Sequence, residues 1–271
     1  MLIRTLCLLL LAVGAAQAAP QAELWERWIA HDPRSTRHID HRAWDGFLMR
    51  YVRIGADGVH GVAYGLVTPA DRQALEAYID GLSRLPISRY RRPEQMAYWI
   101  NLYNALLVRV VLEHYPVASV RDIGASANPG TGGPWDGKRL EIEGALVSLN
   151  DIEHRILRPI WRDPRIHYAL SCAAIGCPNL QPEPFEAARL ERQLNQAAMS
   201  YINDPRCIQT GADQLVVSSL YRWYQEDFGG SDRAVINHLM AYAEPGLAMT
   251  LQQFERIAGD HFAWRLNDAT P

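Results

Sequence analysis

Lysine is almost missing from this chain. Of 27 lysine and arginine residues taken together, Lys138 is the only lysine. Schiff-base chemistry is left with that one candidate, next to Gly137 in a polar loop. Cysteine is scarce too. Cys7, Cys172, Cys177 and Cys207 are too few for a disulfide-built scaffold, and 271 residues are enough to bury a core without one. Neither sign of charge dominates: 30 acidic residues give a formal net charge of −3, which excludes a broad nucleic-acid-binding face. Phosphate loops, dinucleotide fingerprints, H-E-x-x-H zinc motifs and G-x-S-x-G elbows are all absent, so no dedicated cofactor or metal site is expected. With 48% apolar and 21% charged residues, the composition is that of a folded globular protein and not a disordered one.

The first eighteen residues have the pattern of an export signal. Arg4 supplies the positive end, Leu6 to Val13 the apolar stretch, and Ala16-Gln17-Ala18 a small-residue cleavage site. The apolar stretch is too short to span a bilayer, and no later stretch is long and apolar enough to do so. Cys7 has no small-residue cleavage site before it, which argues against a lipid-anchored form. Cleavage after Ala18 would place the remaining chain in the periplasm or outside the cell. Three cysteines remain there, an odd number, so at least one thiol is free or bonds to another molecule. The expected division is residues 1–18 as signal, 19–65 as an N-terminal helical arm, and 66–271 as one α+β domain.

Helical spacing of apolar residues runs from Ile39 to Ile54, through Trp44, Phe47, Leu48, Tyr51 and Val52. Thr68-Pro69-Ala70-Asp71 is a helix start, with Thr68 as N-cap and Asp71 completing a capping box. Pro93 to Tyr115 is apolar nearly all round and therefore predicts a central buried helix, ended by Pro116. A glycine-rich loop, Gly124 to Gly133, follows. Leu140 to Ser148 alternates around Glu143-Gly144, a hairpin pattern. Asn150 and Glu153 read as a capping box for a helix through Leu157. Ile166 to Ser171 reads as a short strand, Phe185 to Ile202 as an amphipathic helix, and Gln214 to Ser218 as a strand. Further helices are expected at Ala234 to Tyr242 and Thr250 to Ile257. The sum is α+β: an α-rich domain with a small, mainly antiparallel sheet.

The densest chemistry lies in His167-Tyr-Ala-Leu-Ser171-Cys172-Ala-Ala-Ile-Gly176-Cys177-Pro178. A thiolate there is a natural nucleophile if an imidazole or a helix N-terminus activates it. On a strand, residues five apart face opposite sides, so His167 would share a face with Ser171 and not with Cys172. His154 on the preceding helix is then the nearer candidate base, with Glu153 beside it. The plain alternative is a disulfide between Cys172 and Cys177, or from either to Cys207. Inside the central helix, Asn101 and Asn104 place two amides in apolar surroundings. They must find partners, because burying an amide unpaired costs about 1–3 kcal/mol. They either orient a reacting group or satisfy the backbone of a neighbouring loop. His38 and His41, three apart beside Asp40, form a metal-like pair with no third ligand in view. Asp227 in Trp223-Tyr-Gln-Glu-Asp227-Phe228 is a buried acid or a helix-end residue.

Four motifs in order carry a resemblance: Tyr98-Trp-Ile-Asn101-Leu-Tyr-Asn104, Leu149-x-x-Ile-Glu153-His154-x-Ile-Leu-Arg158, His167 to Pro178, and Trp223-Tyr-x-Glu-Asp227-Phe228. Together they resemble the family called domain of unknown function 547, over roughly Ala70 to Asp227. Near the C-terminus, Ala263 stands where the family has an aspartate. The family name implies a fold unit and no activity. A more distant similarity, to the papain and transglutaminase-like class, implies Asn101 near the nucleophile's place and His167 as a strand histidine.

Two functions are expected from these residues. One is an exported thiol-dependent hydrolase or acyltransferase acting on amide or thioester bonds of an unidentified small-molecule or peptide substrate. Cys172 would be its nucleophile, His154 or His167 its base, and Asn101 or Asn104 an orienting or oxyanion-side amide. The other is a non-catalytic exported binding or interaction module, with Cys172 and Cys177 in a structural role.

Overall fold

The computed structural model describes residues 20–124, 133–211 and 213–270. The expected export signal and most of the glycine-rich loop lie outside them. No helix among the described residues is long and apolar enough to cross a membrane.

The fold is organised around one helix, Arg92–His114. Pro93 opens it at a position where a missing N–H costs nothing, and Pro116 follows its end. Apolar residues on every face leave it no solvent side, and all of Met96 to Val108 is buried. Helix Pro69–Ser83 packs against it, and helix Arg42–Tyr51 packs against Pro69–Ser83 in turn. Pro69–Ser83 starts as its residues dictate: the Thr68 hydroxyl accepts from the Asp71 amide. Trp28, Trp44 and Phe47 join the same core as Leu102, Leu106 and Val110.

A second core lies beneath helix Asp232–Tyr242. It packs Tyr201, Leu215, Val217, Tyr221 and Ile236. Among the described residues the β structure is three small pieces instead of one sheet. Val52–Ile54 pairs antiparallel with His60–Val62, and Leu140–Ile142 with Ala145–Val147. Ile208–Thr210 pairs antiparallel with Leu215–Ser218, which pairs parallel with Gly259–His261. The architecture is α+β and α-rich, as its patterning indicates.

Local departures have identifiable causes. Ile166–Ala169 is one turn of helix and not a strand. A short, mainly apolar segment cannot separate the two, and the deciding signal is Asp163-Pro164 just before it: the Ile166 and His167 amides bond the Asp163 and Pro164 carbonyls. The cap near residue 150 is also displaced. Asn150 makes no cap; Ser148 Oγ accepts from the Asp151 amide, and Asp151 Oδ2 accepts from the Ser148 amide at 2.7 Å. The helix in Ile39–Ile54 stops at Tyr51, and Val52–Ile54 continue as a strand. The helix expected from Phe185 begins at Leu190, and the one expected at Thr250–Ile257 instead spans Pro245–Leu251.

Candidate functional site

The segment Asp151–Leu157 is wound as a π-helix, with the Arg158 amide reaching back to the Glu153 carbonyl. Pro159 has no N–H to offer the turn before it. The His154 and Arg155 carbonyls find donors elsewhere: the Glu23 and Trp25 amides, each at 3.0 Å. An N-terminal strap, Pro20 to Trp25, is thereby laid along this helix. Arg155 lies over the Trp25 ring at 4.7 Å and helps hold it.

The same helix turns Glu153, His154 and Arg158 inward, where all three are buried. His167 meets them from the one-turn helix that joins the two cores. Asp227 arrives from the turn after Leu220–Trp223. His167 Nε2 donates to Asp227 Oδ2 at 2.7 Å, and its Nδ1 lies 3.8 Å from Glu153 Oε1. Arg158 grips Asp227 through Nε at 2.6 Å and Nη2 at 3.1 Å. Its Nη1 donates to the Pro20 carbonyl at 2.7 Å and to His154 Nδ1 at 3.1 Å. The Tyr103 hydroxyl donates to Glu153 Oε2 at 3.2 Å, and the Tyr224 ring stacks on His167 with centroids 4.1 Å apart.

The electrostatics follow from this packing. Burial pushes Glu153 up, but the electrostatic influence of His154, His167 and Arg158 outweighs it and leaves the carboxyl below its ordinary range. Burial also opposes the charged form of Asp227, yet the hydrogen bonds from His167 and Arg158 hold it well below that range. Burial lowers His154, which suits a ring nitrogen accepting from a guanidinium.

Four of the residues singled out in the sequence, Glu153, His154, His167 and Asp227, therefore converge. Arg158, Tyr103 and Tyr224 complete the cluster. Arg158 was legible as the fourth residue after His154 on one helix. Tyr224 was legible in the Trp223 to Phe228 motif, whereas nothing local marks Pro20.

The cysteines stand apart. Cys172 is bonded to Cys177, with Cα atoms 5.7 Å apart. Among the described residues no hydrogen bond links Cys172 to His154 or His167. The face-alternation argument against His167 rested on a strand that is not there, and His167 is instead committed to Asp227. The loop closed by the two cysteines is clasped by the C-terminal segment: Ile175 and Gly176 amides donate to the Arg265 and Ala263 carbonyls, each at 2.8 Å. Gly176 suits this approach, since a Cβ there would sit 2.7 Å from the Ala263 nitrogen. Cys207 is buried and its sulfur lies 3.3 Å from the Tyr221 hydroxyl.

Both central-helix amides are spent on backbone. Asn101 bonds the carbonyl and amide of Phe185. Asn104 Nδ2 donates to the Ala169 carbonyl at 2.9 Å, and its Oδ1 accepts from the Ser171 amide at 2.9 Å. Asn101 thus commits one N–H and its oxygen to the Phe185 backbone, and His167 lies on a helix turn and not on a strand.

An α-rich domain with a buried helix, a π-wound turn carrying a charged cluster and a clasped cysteine loop is what these residues build. Residues 87–202 match the family described as "Protein of unknown function, DUF547". The match includes both asparagines, Glu153, His154, His167 and the cysteine pair; Asp227 lies beyond it. No curated protein and no solved structure matches the chain.

Proposed function

We propose that this chain is an exported binding or interaction module in which Cys172 and Cys177 serve structure. The observation that carries this reading is the bond between the two sulfurs. The thiol-dependent hydrolase or acyltransferase also expected from the sequence needs Cys172 as a thiolate. Its helpers are engaged elsewhere: Asn101 and Asn104 with backbone, His167 with Asp227, and His154 with Arg158. Export is read from the pattern of the first eighteen residues, and an N-terminal mass beginning at Ala19 in the exported fraction is the outcome it requires.

Alkylation followed by mass spectrometry tests the cysteine assignment. Without reductant the native protein takes up no label. After denaturation without reductant it takes up one, on Cys207, whose thiol burial pushes far above its ordinary range. Rapid labelling of Cys172 in the native protein overturns the reading and restores the thiol enzyme.

A further inference from the structure

The N-terminal strap lies on the protein without being packed into it. Pro20 to Leu24 are all exposed, and Leu24 keeps 42% of its surface. Its backbone does the holding. The Glu23 and Trp25 amides donate to the His154 and Arg155 carbonyls, each at 3.0 Å, and the Pro20 carbonyl accepts from Arg158 Nη1 at 2.7 Å. The His154 carbonyl must find its donor outside its own helix. In the π register residue 159 would supply it, and residue 159 is proline. An extended chain offering alternate amides completes what the helix lacks.

Two side chains of the strap add to this. The Glu23 carboxylate lies 3.6 Å from Arg155 Nη2. The Trp25 ring meets two cations, the Arg155 guanidinium at 4.7 Å and Lys138 Nζ at 5.8 Å, and stands edge-on to the buried Trp28.

Both cations are fixed from within the fold. The buried Asp151 binds Lys138, the chain's single lysine, through Oδ2 and Arg155 through Oδ1, the latter at 3.3 Å. Neither pairing involves the strap. The two carbonyls, the Arg158 N–H and the cationic pair therefore form a groove that a second chain segment can enter when the strap leaves it.

We propose that this groove binds an extended peptide of another protein, carrying an acidic residue two positions ahead of an aromatic one, and that the strap is its resident occupant in cis. Charge complementarity selects the partner: Arg155 takes the acid, and Arg155 with Lys138 takes the ring. The exposed Ala22 and Leu24 are not read. A segment with so little burial opens locally at small cost, and an incoming peptide satisfies the same carbonyls. The tethered strap competes at an effective concentration of about 1 mM, which sets the threshold a partner must exceed. This gives the binding-module reading, on which it rests, a partner class. It uses neither cysteine, so peptide binding and the alkylation result stand or fall separately.

Fluorescence anisotropy of the full chain with a labelled synthetic peptide of residues 20–27 tests it. The native protein binds the peptide weakly. Glu23→Pro in the protein removes the amide on the His154 carbonyl, loosens the strap in cis and tightens peptide binding about three- to tenfold. Against this loosened protein, Trp25→Ala in the peptide weakens binding about tenfold. Glu23→Gln in the peptide weakens it about two- to fivefold, and changing Ala22 and Leu24 to serine leaves it unchanged. Arg155→Met added to the loosened protein weakens it about three- to tenfold. If Glu23→Pro fails to fold by circular dichroism, Trp25→Ala in the protein loosens the strap instead. No saturation of the loosened protein by about 1 mM, equal affinity for native and loosened protein, or indifference to the peptide's Trp25→Ala overturns the proposal. A dimer that exchanges straps at high protein concentration, with no peptide binding, also overturns it and assigns the groove to a second copy of the chain.

Discussion

Asn101 Nδ2 donates to the Phe185 carbonyl at 2.8 Å, and the Phe185 amide donates back to Asn101 Oδ1 at 3.0 Å. One side chain in the middle of the central helix thereby replaces the backbone partners that a loop 84 positions later lacks. Asn101→Ala leaves a buried N–H and a buried C=O unpaired, each at a cost of about 1–3 kcal/mol. The expected outcome is a urea midpoint lowered by both groups together. Asn101→Asp keeps the acceptor but loses the donor, and falls below the native protein as well.

Asp227 gives a pH signature at the charged cluster. Its carboxyl is held below the ordinary value of 3.8 by His167 and Arg158. A lowered folded value means that the group's contribution is fully present above 3.8 and drains as pH falls below it. Asp227→Asn should be less stable than the native protein at pH 7 and should lose less on acidification below about pH 4. Equal acid slopes in urea titrations of the two proteins count against the ion pairing described for this residue.

His238 acts in a different window. Burial lowers it from 6.5 to about 4, and its Nε2 lies 2.9 Å from the Tyr168 hydroxyl. The unfolded chain takes up a proton first, so stability from His238 is present above pH 6.5 and lost between 6.5 and about 4. His41 behaves the same way. Thermal unfolding followed across that window should flatten in His238→Gln relative to the native protein, with the remaining slope carried by His41 and His154.

Gly176→Ala tests the clasp on the cysteine loop. The added Cβ meets backbone of Ala263 at 2.7 Å, which no side-chain rotation relieves. A loss of about 1–3 kcal/mol is expected, as for overpacking of a close contact. Gly144→Ala serves as the comparison, since a Cβ there meets nothing within 4 Å and only the φ of 76° opposes it.

Long periodic segments were readable from their residues. The central helix and the Thr68 cap emerge with little change because apolar spacing and a Thr-Pro start act locally. Short segments were not. His167 sits on a helix turn because of Asp163-Pro164, while its four apolar neighbours Ile166, Tyr168, Ala169 and Leu170 suit a strand equally well. Ser148 and not Asn150 became the cap, since Asp151 lies three residues after Ser148 and answers it with its carboxylate. Glu153, His154, His167 and Asp227 were all visible as residues of interest. Their meeting around Arg158 was not visible, because it depends on a π-wound turn and on Pro20, 138 positions away from Arg158.

That distance sets an order of assembly. Pro20 to Trp25 leave the ribosome well before the helix that holds them exists, and the carbonyls they satisfy belong to His154 and Arg155. The strap is made early and used late. Until residues 154 to 158 are made, the native partners of the strap's backbone groups do not exist. Docking comes last: once Arg158 takes the Pro20 carbonyl, the first described residues are tied to a helix made 138 positions later.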